Sequence, residues 1–254
     1  MCLIVFAYKK HPEFDLVFAA NRDEFYKRPT RPARFWDDYP NLLAGKDLKA
    51  GGTWMGVNRR GQFAALTNYR DPSITKENPP SRGKIVLDYL TRQNDPADYL
   101  KNLHQNAAAY MGFNILTGTP DHLLHYSNQE GEINRVEPGL HGLSNHLLDT
   151  PWPKVEQAKA ELEMVMKNNR FTEEAIFDVL KNDQPAADEQ LPDTGIPKDL
   201  EKKVSPAFIK GENYGTRSST ILLIGKGGNV IFEERRFKSG TQVIDDTNRF
   251  EFEI

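Results

Sequence analysis

A single cysteine in 254 residues leaves no partner for an intrachain disulfide. It also excludes the multi-cysteine ligand sets of zinc and iron–sulfur proteins. Long apolar runs are missing as well. The longest strongly apolar stretch is Leu3 to Ala7, far short of the ~20 residues a membrane helix needs. There is no excess of positive charge: 33 Lys and Arg stand against 36 Asp and Glu, for a net charge of −3. A general electrostatic grip on nucleic acid is thereby excluded, although Arg28, Arg31 and Arg34 form a local basic patch. No basic segment followed by an apolar core opens the chain, so no secretory signal is read and a cytoplasmic location is expected.

What is present is the composition of a globular protein, 38% hydrophobic and 27% charged. Leu3–Tyr8 and Asp15–Ala20 are β-rich and flank Lys-Lys-His-Pro turn chemistry, which predicts a hairpin with Tyr8 facing Asp15. Thr53–Asn58 and Gln62–Asn68 read as a second hairpin around Arg59-Arg60-Gly61. Between them Thr30–Lys49, rich in Pro, Arg and Asp, reads as a surface loop. Helices are predicted from Ser81 to about Asn94, over Ala97–Tyr110, from a Thr150 cap with Pro151 to about Asn168, and after a Thr172 cap. Phe113–Thr117 and His122–Tyr126 read as short strands, Asn182–Pro206 as a long loop, and Ser218–Ile224 with Val230–Phe237 as a last hairpin. Strands, then helices, then strands predict one α+β domain over residues 1–254 with mainly antiparallel sheets.

Cys2 directly follows the initiator Met, which is normally trimmed before so small a residue. The product would carry thiol and α-amine on one residue. An α-amine with a pKa of about 7.7–8.0 is partly neutral near pH 7 and can accept the thiol proton, so one residue supplies nucleophile and base. The bland alternative is a small buried hydrophobe. The hairpin weighs against it, because it carries Cys2 to the polar strand end Asn21-Arg22-Asp23-Glu24. There Asp23 can orient the amine, and Arg22 can support a thiolate or bind a carboxylate.

These residues also carry a resemblance. Met1-Cys2-Leu3, Asn21-Arg22-Asp23-Glu24, Gly51-Gly52-Thr53-Trp54-Met55-Gly56, Leu66-Thr67-Asn68, Gly142-Leu143-Ser144-Asn145 and Tyr214-Gly215-Thr216-Arg217-Ser218-Ser219-Thr220 resemble the pattern of the NRDE family, the transport-and-Golgi-organisation proteins. The match runs in order over nearly the whole chain. The family is similar in layout to the Ntn hydrolases, so the resemblance implies an αββα four-layer sandwich. It also implies roles like those in cysteine-type acylases such as penicillin V acylase and bile salt hydrolase. Cys2 matches the nucleophile and Asp23 the acid that positions it. Asn68 matches the oxyanion-hole asparagine, Asn145 the second active-site asparagine, and Arg217 the late arginine. Asn21, Arg22, Trp54 and His146 are expected to line the substrate site. One position departs: those acylases have an arginine three residues before the acid, where this chain has Ala20.

Two function classes follow. One is an N-terminal-cysteine amidohydrolase acting on a small amide or thioester. The other is a carrier using the same cleft for haem or an acyl-type ligand without turnover, since family members are linked to haem trafficking. No metal site is expected, because His122 and His125, three apart on a strand, face opposite ways. No bound cofactor is expected beyond haem as cargo. Gly51-Gly52-Thr53-Trp54 lacks the lysine and spacing of a phosphate loop and reads as close backbone approach.

Overall fold

A computed structural model describes residues 2–92, 95–167 and 171–254. The chain, expected as one domain, divides into two compact units, each assembled from separated stretches. The first comprises Met1–Lys27, Pro138–Ser144 and Leu148–Glu251; the second comprises Arg28–Glu137, Asn145–Leu147 and Phe252–Ile254.

The chain opens with β1 (Cys2–Tyr8) and β2 (Phe14–Phe25), the predicted hairpin. Its register differs from the prediction by one residue: Tyr8 pairs with Leu16, not Asp15, and Cys2 with Arg22. The turn absorbs the extra residue. Lys9 adopts a left-handed conformation at φ 49 and donates its N–H to the Asp15 carbonyl at 2.7 Å. A one-residue slip exchanges the faces of every side chain on a strand, so this offset decides what lies beside Cys2.

The second unit follows with β3 (Thr30–Phe35), β4 (Leu42–Asp47), β5 (Met55–Asn58) and β6 (Phe63–Asn68). Next come α1 (Gly83–Thr91) and α2 (Pro96–Asn106), then β7 (Phe113–Gly118), β8 (Leu123–Ser127) and β9 (Ile133–Arg135). The seven strands form an antiparallel sheet in sequence order. The segment read as a surface loop is therefore a correction, because it holds β3 and β4. Its Pro32 sits where the β3–β4 register shifts between Arg31 and Arg34. An edge strand with an irregular ladder tolerates the missing N–H. Ile85, Val86, Tyr89 and Leu90 of α1 and Leu100 of α2 pack on Leu66, Phe113, Ile115 and Tyr126. The predicted helix end at Asn94 lies outside the described residues.

The first unit resumes with β10 (Gly139–Leu143), α3 (Pro153–Lys167), α4 (Glu173–Asp178) and α5 (Lys198–Lys203). It ends with β11 (Tyr214–Gly225), β12 (Asn229–Phe237) and β13 (Ile244–Glu253). Its sheet runs β10-β1-β2-β11-β12-β13. Leu3, Val5, Ala7, Val17, Ala19, Ile221 and Leu223 form one apolar face, on which Val155, Ala158 and Leu162 of α3 and Ile176 and Phe177 of α4 pack. Thr172 caps α4 as predicted, accepting from Ala175 N–H. α3 starts at Pro153, two residues beyond the predicted first position, and its expected end at Asn168 lies outside the described residues. The Asn182–Pro206 loop contains α5. No helix among the described residues is long and apolar enough to cross a membrane.

Candidate active site

Cys2 opens β1 directly opposite Arg22, and Arg22 lies opposite Ser218 of β11. Residues directly opposite in a sheet share a face. Cys2, Arg22 and Ser218 therefore form a row on the face turned away from α3 and α4, since Leu3 and Val5 occupy the helix side. Cys2 is 9% exposed, and its carbonyl accepts the Ser144 hydroxyl at 2.9 Å. Arg22 reaches Glu24, one pleat along the same face, at 3.9 Å. Burial pushes the Cys2 thiol pKa up and the charge of Asp23 adds to this; the Asp23 backbone N–H and the Arg22 guanidinium pull it down.

Ala20 and Arg22 are two residues apart on a regular strand, so they leave it on the same face. An arginine expected at position 20 and the arginine present at 22 thus both project on the Cys2 side, one pleat apart.

Asp23 leaves β2 on the helix side and is 3% exposed. Its Oδ1 accepts the Thr216 hydroxyl at 2.6 Å, and that same Thr216 oxygen accepts Ile209 N–H at 2.9 Å. The Tyr214 hydroxyl donates to the Asp23 carbonyl at 3.1 Å. Burial raises the Asp23 pKa, while Lys154, the Thr216 hydrogen bond and Arg22 oppose it. Lys154 escaped the sequence reading. A signal was available: a lysine in the first turn of a helix opposes the helix dipole and therefore asks for another reason.

The register slip sends Asn21 to the opposite face from Cys2. Its amide donates to the Leu180 and Ala207 carbonyls at 2.9 and 2.8 Å and accepts from the Ser219 hydroxyl. It is an internal tie between sheet and helices, not a neighbour of the thiol. Arg217 occupies the β11 irregularity between Thr216 and Ser218 and donates to the Phe25 carbonyl at 3.3 Å. Burial lowers its pKa, with Arg22 and Arg236 adding like charge.

In the second unit Asn68 ends β6. Its carbonyl accepts the Asn145 side-chain amide at 2.8 Å, and the Asn145 carbonyl accepts Arg70 N–H at 2.7 Å. Asn145 follows Ser144, the residue whose hydroxyl holds the Cys2 carbonyl. His146 meets the Tyr69 hydroxyl at 2.9 Å, and burial lowers its pKa. Trp54 is half-buried just before β5. The glycines ahead of it provide close backbone approach: a Cβ on Gly52 would lie 2.5 Å from the Gly83 carbonyl carbon and oxygen.

The fold belongs to the Ntn-hydrolase class. The solved conjugated bile acid hydrolase of Clostridium perfringens matches with a TM-score of 0.56 at 10% identity, covering 99% of this chain and 92% of that one. Penicillin V acylase of Agrobacterium tumefaciens matches at 0.52 and 11%, covering 100% and 86%. These likenesses bear out the α+β Ntn-type fold class. A family model described as Transport and Golgi organisation 2 matches residues 1–239. The Mus musculus Transport and Golgi organization 2 homolog is 36% identical over 283 residues, covering 100% of this chain and 99% of that protein. The chain belongs to the Transport and Golgi organisation 2 family, the family to which its sequence pattern pointed.

Proposed function

We propose that the protein is an N-terminal-cysteine hydrolase acting on a small amide or thioester. The observation that carries this reading is the pairing of Cys2 with Arg22 at a strand end where buried Asp23 stands behind the same residues. After removal of Met1, the Cys2 amine takes the thiol proton and the thiolate sulfur attacks the substrate carbonyl carbon. The tetrahedral oxyanion collapses, the bond to the leaving amine or thiol breaks, and the ammonium returns the proton to the leaving group. Water then cleaves the acyl–sulfur bond, which frees the acid and restores the thiol. Asp23 orients the amine, and Arg22 favours the thiolate. The oxyanion role that the resemblance assigns to Asn68 and Asn145 is part of this proposal, with charge supplied by Arg217.

One observation favours the carrier reading, with an acyl-type ligand or haem as cargo. The Asn145 amide already donates to the Asn68 carbonyl, so that N–H is committed within the protein and not to an oxyanion. Cys2→Ser separates the two readings. A hydrolase loses most turnover of its amide or thioester but still binds it. A carrier whose ligand does not touch sulfur changes in neither respect, and a haem carrier ligated by Cys2 loses affinity and shifts its Soret band. Unchanged turnover in Cys2→Ser sinks the hydrolase reading.

A further inference from the structure

The row that begins at Cys2 continues across two more strands. Cys2 pairs with Arg22, Arg22 with Ser218 of β11, and Ser218 with Arg236 of β12. Direct partners share a face, so all four leave the sheet on the side turned away from α3 and α4. The neighbouring Arg235 shows the alternation: its guanidinium lies on the helix side, 3.8 Å from the centre of the Phe177 ring. Arg217 occupies the β11 irregularity beside Ser218.

Like charge is thereby concentrated. Arg22 and Arg236 flank Ser218 from the two neighbouring strands, and both act on Arg217. Gathered guanidinium groups repel one another unless an anion offsets them. Arg22, with its side chain 13% exposed, reaches Glu24 at 3.9 Å, near the outer limit of an ion pair. Glu234 lies on the same face, opposite Thr220. Three guanidinium groups against these two carboxylates leave one positive charge in excess, which suits a monoanion. The planar fork of arginine matches a carboxylate in particular.

We propose that this row is a second point of attachment for the substrate: with its amide or thioester carbonyl at Cys2, the substrate carries a carboxylate that Arg22 and Arg236 hold over Ser218, two strands and about 10 Å from the strand of the nucleophile. The Ser218 hydroxyl between the two arginines is a further donor. The substrate then lies across the strands, its reacting end and its anionic end read by different residues. This inference names the substrate class of the site proposed above and rests on Cys2 being its reactive group.

Cys2 is the only cysteine, so alkylation followed by intact mass reports this site without turnover. The probes are the N-bromoacetyl derivatives of glycine and of ε-aminocaproic acid, each compared with its methyl ester. The Cys2 sulfur displaces bromide from every probe; only the acids carry the anion, and only the longer spacer lets it reach Ser218. The acid-to-ester rate ratio cancels any change in the thiol itself. For the wild type and the longer pair it should be about three- to tenfold, the worth of one partly screened ion pair, and smaller for the glycine pair. Arg236→Gln should lower the longer pair's ratio to that of the glycine pair, and Arg236→Lys should restore part of it. Arg235→Gln removes the same charge one residue away on the helix face and should keep the wild-type ratio. A ratio near one for both pairs, a ratio that Arg236→Gln leaves unmoved, or an equal fall in Arg235→Gln overturns the proposal.

Binding of the unreactive N-acetyl-ε-aminocaproate, measured by calorimetry, does not depend on access to the thiol. Wild type should bind it more tightly than its methyl ester, and Arg236→Gln should remove the difference; equal affinities in the wild type overturn the proposal. Neither measurement needs turnover. A carrier with this row would pass and a hydrolase of neutral substrates would fail, so failure here and failure of the hydrolase reading are separate results.

Discussion

Cys2 and Arg22 are direct cross-strand partners, and the same pairing puts Asn21 on the opposite face. One pair of residues thereby divides the Asn21-Arg22-Asp23-Glu24 tetrapeptide into two sets. Arg22 and Glu24 share the thiol's side of the sheet, while Asn21 and Asp23 are anchored among groups on the helix side. A strand end that reads as four consecutive polar residues is built from two pairs with different work.

Arg22→Gln tests the first set. The guanidinium favours the thiolate, so its removal should move the Cys2 alkylation midpoint upward and slow iodoacetamide at pH 7.5 about three- to tenfold. Arg22→Lys keeps the charge and should fall between. An unshifted midpoint in Arg22→Gln would mean that the pairing leaves the guanidinium out of range of the sulfur.

Asn21→Ala tests the second set. It strands two buried carbonyls and the Ser219 hydroxyl, a loss of about 3 kcal/mol or more at the usual cost of ~1–3 kcal/mol for each unsatisfied buried group. Urea unfolding should show this loss while the alkylation midpoint of the folded variant stays put. Wild-type stability would contradict the assignment of Asn21 as an internal tie.

The sequence made the first hairpin, the family pattern and most elements legible because their signals are local. Apolar alternation, turn residues and caps such as Thr172 act within a few positions. What escaped depends on distant partners. The register of the first hairpin turned on one left-handed residue, Lys9, which no propensity marks. β3 was masked by Pro32 and by charges that an edge strand tolerates. Lys154, whose charge opposes the rise of the Asp23 pKa, lies 131 positions away in sequence, on a helix whose docking face emerges only once the sheet is assembled.

Gly52→Ala should be severely destabilising. The added Cβ would lie 2.5 Å from the Gly83 carbonyl carbon and oxygen and 2.9 Å from Lys84 N, all backbone atoms at the start of α1. Backbone cannot rotate away as a side chain does, so α1 must shift from Ile85, Val86 and their core partners. Overpacking of this kind costs about 1–3 kcal/mol or more. Gly51, at φ 74 with open space around its Cβ position, should lose less on mutation to Asn, which tolerates left-handed backbone. Urea midpoints that rank the two variants the other way round would refute the close-approach reading.

The last prediction concerns pH. Burial raises the thiol pKa of folded Cys2 above that of the unfolded chain. The folded state then holds its proton where the unfolded state releases it, so the unfolded state binds fewer protons and stability falls as pH rises. The contribution is fully present below the unfolded thiol pKa of about 8.5 and is lost as pH climbs through the folded value. Lysines and tyrosines titrate in the same window, so the comparison is between wild type and Cys2→Ser, in which every other group is shared and the hydroxyl does not ionise. Between pH 7 and 10 the wild-type urea midpoint should decline more steeply than that of Cys2→Ser, the gap opening above about pH 8. Parallel curves would mean that the buried thiol ionises as easily in the folded chain as in the unfolded one, with Arg22 and the Asp23 backbone N–H fully offsetting its desolvation.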